Sequence, residues 1–176
     1  MAFAKADNTG DSYFTPPWCY ENLPIDWTKY KTGFEPSLGD GRILSYLEEF
    51  DIYMDGMELD WQEEVGPEEN MNFFKWDGSV DLIIGNPPFS KAQEFMSHAL
   101  PRCKTLMFLL PLNFLASKKR YLGVFSKTPP DTLFILTKRP SFSGDGKTSA
   151  QDYGWFIWQQ EEKHIETGLH WLPPPK

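Results

Sequence analysis

The hydrophobic residues of this chain occur in two alternating patterns, one typical of buried strands and one typical of amphipathic helices. Short apolar runs, at residues 80–84 (Val-Asp-Leu-Ile-Ile) and 105–110 (Thr-Leu-Met-Phe-Leu-Leu), are typical of strands buried on both faces of a parallel sheet. Other stretches repeat apolar residues at intervals of three and four, as on the buried face of a helix. In residues 92–100 this repeat consists of Ala92, Phe95, Met96, Ala99 and Leu100. Strands that alternate with helices predict an α/β fold, with a mostly parallel sheet and helices on both faces.

The same pattern predicts a seven-stranded sheet. The strands cover residues 31–34, 52–59, 71–75, 80–84, 105–110, 132–137 and 154–159, and a helix covers residues 42–50. The last two strands follow each other without a helix, which predicts an antiparallel strand at the edge of the sheet. We expect one domain over residues 13–160, between a flexible N-terminus (1–12) and a C-terminal tail (161–176).

Composition narrows the class of protein. The chain has 176 residues, of which 40% are hydrophobic, enough for one domain with a buried core. It has two cysteines without a Cys-x-x-Cys pair and three scattered histidines, so we expect neither a disulfide framework nor a metal site. No apolar run reaches the length of a membrane helix, and the N-terminus lacks the apolar stretch of a signal peptide. A cytoplasmic protein without a membrane partner is expected.

Charge is distributed unevenly along the chain. The net charge of −8 disfavours a nucleic-acid partner at first sight, because phosphate binding depends on cationic side chains. Residues 48–69 hold ten acidic residues and no lysine or arginine, whereas residues 118–147 hold seven basic residues and two acidic ones. The second segment permits DNA binding, although two ordinary solvated faces explain the asymmetry equally well. The basic candidates are Lys118, Lys119, Arg120, Arg139 and Lys147.

Ligands of open α/β sheets bind at the carboxyl ends of the strands, so the turns after strands are where function is expected. The first such turn is Glu35-Pro36-Ser37-Leu38-Gly39-Asp40-Gly41, directly before a predicted helix. Gly39 and Gly41 would let a ligand approach the backbone at the helix N-terminus. The Glu35 carboxylate suits a cationic amino acid moiety better than a pyrophosphate. An ordinary strand–helix turn would carry the same two glycines.

The second such turn is Asn86-Pro87-Pro88-Phe89, after the strand at residues 80–84. A rigid surface turn explains the prolines but not an aromatic residue at the end of a strand. The amine of a purine is a poor nucleophile, because its lone pair is delocalised into the ring. Acceptors at the Asn86 side chain and the Pro87 carbonyl would favour the pyramidal amine in the transition state. Phe89 would offer a stacking face to a base swung out of a helix.

These two turns resemble motifs of a known family. Asn86-Pro87-Pro88-Phe89 resembles the catalytic motif IV of S-adenosylmethionine-dependent amino-methyltransferases, and Glu35–Gly41 resembles their motif I. The resemblance covers roughly residues 13–158 and is closest to small phage-type enzymes that methylate adenine N6 in DNA. It implies a single Rossmann-like domain that binds S-adenosylmethionine through Glu35, Pro36, Ser37, Gly39, Gly41 and Asn86.

The remaining motifs follow in the order that this family has. Residues 14–18 resemble motif X, in which Thr15 and Pro16 would lie at the methionine end of the cofactor. Glu58 and Leu59 resemble motif II, with Glu58 on the ribose hydroxyls. Asn72 and Phe73 take the place of motif III at the adenine, where an aspartate usually precedes the phenylalanine. Residues 109–114 resemble motif VI. Residues 139–158 resemble the closing segment, in which Phe142 would press on the extruded base.

The resemblance implies methylation of the N6 amine of adenine in DNA, with a role in restriction-modification among the expected ones. A separate target-recognition domain, normal in the gamma class that the motif order resembles, is not expected here. Other planar amines and amides stay open as substrates: adenine or guanine in RNA, cytosine N4, and protein glutamine. A homodimer, or a core that needs a separate specificity subunit for reading DNA, also stays open.

Overall fold

The computed structural model describes residues 14–57, 73–143, 147–160 and 166–175. The strands in these residues form one sheet in the order β2-β1-β3-β4-β6-β5-β7. They are β1 (Thr32–Glu35), β2 (Tyr53–Gly56), β3 (Val80–Gly85), β4 (Cys103–Pro111), β5 (Thr132–Leu136), β6 (Tyr153–Gln159) and β7 (Gly168–Leu172). The predicted fold class, a mostly parallel seven-stranded sheet with helices, is confirmed.

Strand direction is uniform except at β6. β2, β1, β3 and β4 pair in parallel, and β5 pairs in parallel with β7. β6 is antiparallel to both of its neighbours, β4 and β5. The antiparallel strand therefore lies toward the β7 side of the sheet, inserted between two strands that run the other way.

The seventh strand comes from a segment that the sequence assigns to the tail. β7 pairs with β5 from Thr132↔Gly168 to Leu136↔Leu172. Leu172 is only 3% exposed, whereas Leu169 and Trp171 are 49% and 61% exposed. An outermost strand buries few of its side chains. Its sequence therefore lacks the buried apolar run or the regular apolar–polar alternation by which strands are predicted.

The strand predicted at residues 71–75 is wrong where the structure describes it. Phe73–Lys75 forms a short 3-10 helix instead. Phe73 is fully buried and stacks with Phe34 at a centroid distance of 5.9 Å and with Phe95 at 5.2 Å. Phe73 is apolar because its ring packs between the sheet and the helix that carries Phe95. That packing does not require the backbone of residues 73–75 to pair with a strand.

A separate apolar core covers each face of the sheet. Helix α1 (Arg42–Glu48) contributes Ile43 and Leu47 to one core, and helix α2 (Ala92–Ala99) buries the other. The residues of β4 alternate between the two, since Met107 and Leu109 belong to the α1 side and their neighbours to the α2 side. Helices on both faces are confirmed. Short 3-10 helices lie at Pro17–Cys19, Trp27–Lys29, Phe73–Lys75, Leu100–Arg102 and Leu112–Leu115.

Three parallel strands end at the same edge of the sheet. β1 ends at Glu35, β3 at Gly85 and β4 at Pro111. β6 begins at this edge because it is antiparallel, with Tyr153 opposite Pro111. Between β4 and β5 the chain forms the three-residue helix α3 (Lys118–Arg120) and a π-helical turn (Tyr121–Phe125). Among the described residues, no helix has both the length and the apolar character needed to cross a membrane.

Candidate functional site

The turn after β1 brings its backbone into a conformation that only glycine adopts without strain. Gly39 and Gly41 have φ values of 56° and 74°, and Gly41 is the residue that precedes α1. The N–H of Gly41 donates to the carbonyl of Leu38 at 2.8 Å, and the N–H of Leu38 donates to the carbonyl of Met57 at 2.9 Å. The loop is therefore fixed tightly at the N-terminus of α1, as the sequence predicts.

Glu35 ends β1 as a buried carboxylate. It is 2% exposed, and its Oε2 accepts a hydrogen bond from the backbone N–H of Leu44 at 3.1 Å. A buried carboxylate is retained where it has partners, and this one stabilises the first turn of α1. The same side chain lines a cleft above the turn, which leaves it able to contact a cationic ligand there.

Asn86 follows β3 directly and has an unusual environment. Its side-chain Oδ1 and Nδ2 are both inaccessible to solvent and have no hydrogen-bond partner among the described residues. Unpaired buried polar atoms each cost about 1–3 kcal/mol, so they are rare unless a ligand satisfies them. The Oγ of Ser37 is in the same situation. Both orphaned groups border the same cleft, and a ligand bound in it could supply their partners.

The two predicted turns are in contact with each other. A Cβ placed on Gly85 would lie 3.4 Å from the Oγ of Ser37 and 3.5 Å from the Cδ of Pro36. Gly85 is the residue before Asn86, so the absence of a side chain lets the turn after β3 approach the turn after β1. The cleft includes five of the predicted residues: Thr15, Glu35, Ser37, Gly39 and Asn86.

The cleft is also lined by Phe14, Leu38, Asp40, Arg42 and Ile43. Phe14, Leu38 and Asp40 lie in the motifs that the sequence analysis identified but were not predicted as site residues, and Arg42 and Ile43 lie outside those motifs. The Arg42 guanidinium pairs with the Asp40 carboxylate, which raises the pKa of Arg42, and lies 5.5 Å above the Phe14 ring centroid. The N–H of Phe14 donates to the carbonyl of Phe142 at 3.2 Å. Phe14 thus contacts both Arg42, at the start of α1, and the segment that carries Phe142. These contacts join residues far apart in the sequence, so no local pattern predicts them.

Phe89 lies in an aromatic group with Tyr153 and Phe142. The centroid distance from Phe89 to Tyr153 is 5.5 Å, and that from Tyr153 to Phe142 is 5.0 Å with the rings perpendicular. The Oγ of Ser149 donates to the Tyr153 hydroxyl at 3.1 Å. Phe142 is 4% exposed, so its predicted contact with an extruded base stays a prediction. Tyr153 was not predicted, although it begins a strand at the edge where the site lies.

The predicted basic residues divide into two groups. Lys118, Lys119 and Lys147 are exposed. The Arg120 guanidinium instead donates to the carbonyl oxygens of Asn113 and Phe114 and lies 4.2 Å above the Phe114 ring, whereas Arg139 pairs with Asp152 at 2.8 Å. The two arginines thus hold the surrounding loops in place, and the exposed lysines are better placed to meet an anion.

The remaining predicted residues do not line the cleft. Pro16 directly precedes the first short helix, where its carbonyl accepts the N–H of Cys19 at 2.9 Å, and Pro36 lies against Gly85. Phe73 is fully buried in the α2-side core. The predictions for Glu58, Leu59 and Asn72 lie outside the described residues.

The fold recurs in solved structures, although no protein-family model and no curated protein matches the sequence. A protein assigned as a class I S-adenosylmethionine-dependent methyltransferase from Listeria monocytogenes superposes with a TM-score of 0.54 at 12% identity, over 81% of this chain and 58% of that one. The modification subunit of a type I restriction enzyme from Vibrio vulnificus gives 0.60 at 14% identity, over 96% of this chain and 49% of that one. A protein assigned as an RNA methyltransferase from Pyrococcus horikoshii gives 0.50 at 17% identity, over 73% and 74%.

Two of these three structures are substantially longer than this chain, which spans about half to three fifths of their length. Identities of this size establish a common fold and leave the reaction and the substrate to be argued from the site. The chain has the Rossmann-like fold of class I S-adenosylmethionine-dependent methyltransferases.

Proposed function

We propose that this protein transfers a methyl group from S-adenosylmethionine to the N6 amine of adenine in DNA, with the target base flipped into a pocket at Asn86–Phe89. The observation that carries the proposal is the orphaned Asn86 amide, buried beside a glycine turn at the carboxyl edge of a methyltransferase-type sheet. Such an amide is explained if its partners arrive with the substrate.

The residues of the cleft fit S-adenosylmethionine. Gly39 and Gly41 free the backbone for close approach, and the Glu35 carboxylate suits the ammonium of a methionine moiety. The buried Ser37 Oγ has no hydrogen-bond partner among the residues that the structure describes. When bound, the cofactor supplies an electrophilic methyl group on a sulfonium. The chain itself binds and orients through Glu35, Ser37 and the glycine turn, and Phe14 and Thr15 close the cleft from the N-terminal side.

Asn86 acts on the target amine. Its Oδ1 can accept one amine hydrogen, and an acceptor at that position favours the pyramidal form in which the nitrogen lone pair is available for attack. Pro87 and Pro88 restrict the backbone, and the N–H of Lys91 fixes the turn by donating to the Pro88 carbonyl at 2.9 Å. Little ordering is therefore needed when the reaction occurs.

Phe89 and its neighbours favour a planar aromatic substrate. Phe89 is partly buried and packs against both cores, which holds its ring at the edge where Asn86 lies. A base stacked on such a ring is held by its π face, and its amine is then read by the neighbouring acceptors. Duplex DNA as the source of that base is supported by the exposed lysines Lys118 and Lys119, and one of the structural neighbours is the modification subunit of a restriction enzyme.

A labelling experiment tests the substrate. The protein is incubated with S-adenosylmethionine that carries a deuterated methyl group, in separate reactions with genomic DNA, total RNA and denatured protein, and digests are analysed by mass spectrometry. We expect N6-methyladenine from DNA. Label only in RNA nucleosides, in N4-methylcytosine or in methylglutamine would assign the same site to another planar amine or amide.

A requirement for a second chain is the main alternative within the same chemistry. The Vibrio neighbour is itself one subunit of a restriction enzyme, which makes DNA reading by another polypeptide or by a second copy the arrangement to test. Specific activity that rises with protein concentration would support a homodimer. Activity that appears only when a DNA-reading subunit is added would support a core subunit.

A further inference from the structure

The segment between β4 and β5 presents three large apolar side chains to solvent. Leu115, Tyr121 and Leu122 are 42%, 58% and 60% exposed. Tyr121 and Leu122 begin a π-helical turn, in which the N–H of Ser126 donates to the carbonyl of Tyr121 at 2.9 Å. π-Helical turns are rare and occur frequently at functional sites.

This exposed pair is held on a fixed support. Val124, in the same turn, is 6% exposed, and Phe125 packs edge-on against Phe114 at a centroid distance of 5.9 Å. The Arg120 guanidinium donates to the carbonyl oxygens of Asn113 and Phe114 at 3.2 and 3.3 Å. The turn therefore buries Val124 on one side and leaves Tyr121 and Leu122 in solvent on the other.

The charge around the pair is positive in an acidic protein. No acidic residue occurs between Glu94 and Asp131, whereas the overall charge is −8. Lys118 and Lys119 lie three and two residues before Tyr121 and are exposed, and Lys127 follows the pair and is exposed. Apolar side chains among exposed lysines are suited to a polyanion that also offers apolar surface, which is what the stacked bases and phosphates of DNA provide.

The segment starts at the edge where the candidate site lies. It begins right after β4, whose last residue, Pro111, pairs with Tyr153. Tyr153 lies 5.5 Å from Phe89, ring centroid to ring centroid. A base taken out of the duplex toward Phe89 leaves a gap in the stack, and enzymes and architectural proteins insert apolar side chains between bases.

We propose that Tyr121 and Leu122 insert into the duplex at the target and occupy the space left by the extruded adenine, while Lys118 and Lys119 contact the flanking phosphates. This inference rests on the proposed function and adds to it a residue pair that drives base extrusion. Tyr121 and Leu122 are not in contact with the reacting atoms in this proposal; they lower the cost of reaching the flipped state.

Single-turnover methylation by Tyr121→Ala and Leu122→Ala tests the pair on three DNAs with the same target: a matched duplex, a duplex with an abasic site opposite the target, and the single strand. Leu169→Ala is the matched control, because Leu169 is a comparably exposed leucine on the outer strand β7. On the matched duplex we expect a loss of about tenfold or more for the two variants, since unstacking costs a few kcal/mol. On the other two DNAs we expect rates within about twofold of the unaltered protein, because the target there is already unpaired.

The outcomes separate this inference from the proposed function. If the unaltered protein methylates no DNA, the proposed function fails and the insertion role fails with it. If it methylates DNA but the variants lose activity equally on all three DNAs, or on none, the insertion role alone is refuted. An equal loss together with a change in oligomeric state would assign Tyr121 and Leu122 to a contact between proteins instead.

Discussion

Replacement of Asn86 by alanine should separate stability from activity in an unusual way. Most substitutions of a mostly buried residue destabilise a protein by about 0.5–3 kcal/mol. Asn86 differs, because its Oδ1 and Nδ2 are buried and have no hydrogen-bond partner in the part of the chain that the structure describes. Under the proposed function, this cost is offset when a ligand binds and supplies the missing partners.

The magnitudes can be worked out from this environment. Each unpaired buried polar atom costs about 1–3 kcal/mol, and alanine removes both at the expense of a small cavity. We expect the free energy of unfolding of Asn86→Ala to rise by about 1 kcal/mol. Turnover should fall by about 10²- to 10³-fold, or about 2.7–4 kcal/mol, as when one oriented hydrogen-bonding group is removed from the transition state. Asn86→Asp keeps an acceptor and should retain part of the turnover.

Three measurements check this expectation. Urea unfolding gives the stability, calorimetry with S-adenosylhomocysteine gives the affinity for the cofactor product, and single-turnover methyl transfer gives the rate. Affinity should change little, because the acceptor acts mainly on the target amine. A variant that unfolds more easily than the unaltered protein, or that turns over at an unchanged rate, would show that Asn86 is a structural residue.

Two further predictions follow from the buried titratable groups. Burial raises the pKa of Cys19 and raises that of Cys103 to about 12. Neither thiol should therefore react with a disulfide reagent until urea unfolds the protein. Rapid labelling of either cysteine in the folded state would contradict the packing. Burial raises the pKa of Asp81, but hydrogen bonds from the backbone of residues 31–32 and from Lys104 outweigh this and lower it. Its ionised form therefore stabilises the fold above the ordinary carboxyl pKa, and this contribution is lost as pH falls through the lowered value. Asp81→Asn should cost about 1–2 kcal/mol at pH 7 and much less at pH 3, measured by urea unfolding; an equal cost at both pH values would contradict the role of the charge.

The sequence predicts correctly that the turns after β1 and β3 lie close together, because each turn is short and follows a strand directly. Glu35 ends β1, the two turn glycines follow it, and Asn86 follows the apolar strand β3; parallel strands bring such positions to one edge. What the sequence does not reveal is the approach of distant segments. Phe14 meets Phe142 through a backbone hydrogen bond across 128 positions, and neither residue carries a periodic signal for that contact.

Prediction was weakest for a strand that buries few apolar side chains and for an apolar run that does not form a strand. β7 lies at the outer edge, so Leu169 and Trp171 are exposed and the alternation that marks a strand is blurred. Phe73 shows the converse, because an apolar run that resembles a strand is satisfied by aromatic stacking alone. In both places long-range packing decided the backbone, and local pattern did not contain that information.

The direction of β6 explains why an unpredicted residue reaches the site. In a sheet of parallel strands only the last residue of each strand lies at the carboxyl edge, and for β6 that residue would be Gln159. Because β6 is antiparallel to β4, its first residue, Tyr153, lies opposite Pro111 and beside Phe89. The reversal also brings the preceding loop, with Phe142, back to the same edge. The antiparallel direction of β6 therefore brings Tyr153 and Phe142 next to Phe89. A parallel β6 would have placed Tyr153 at the opposite edge of the sheet.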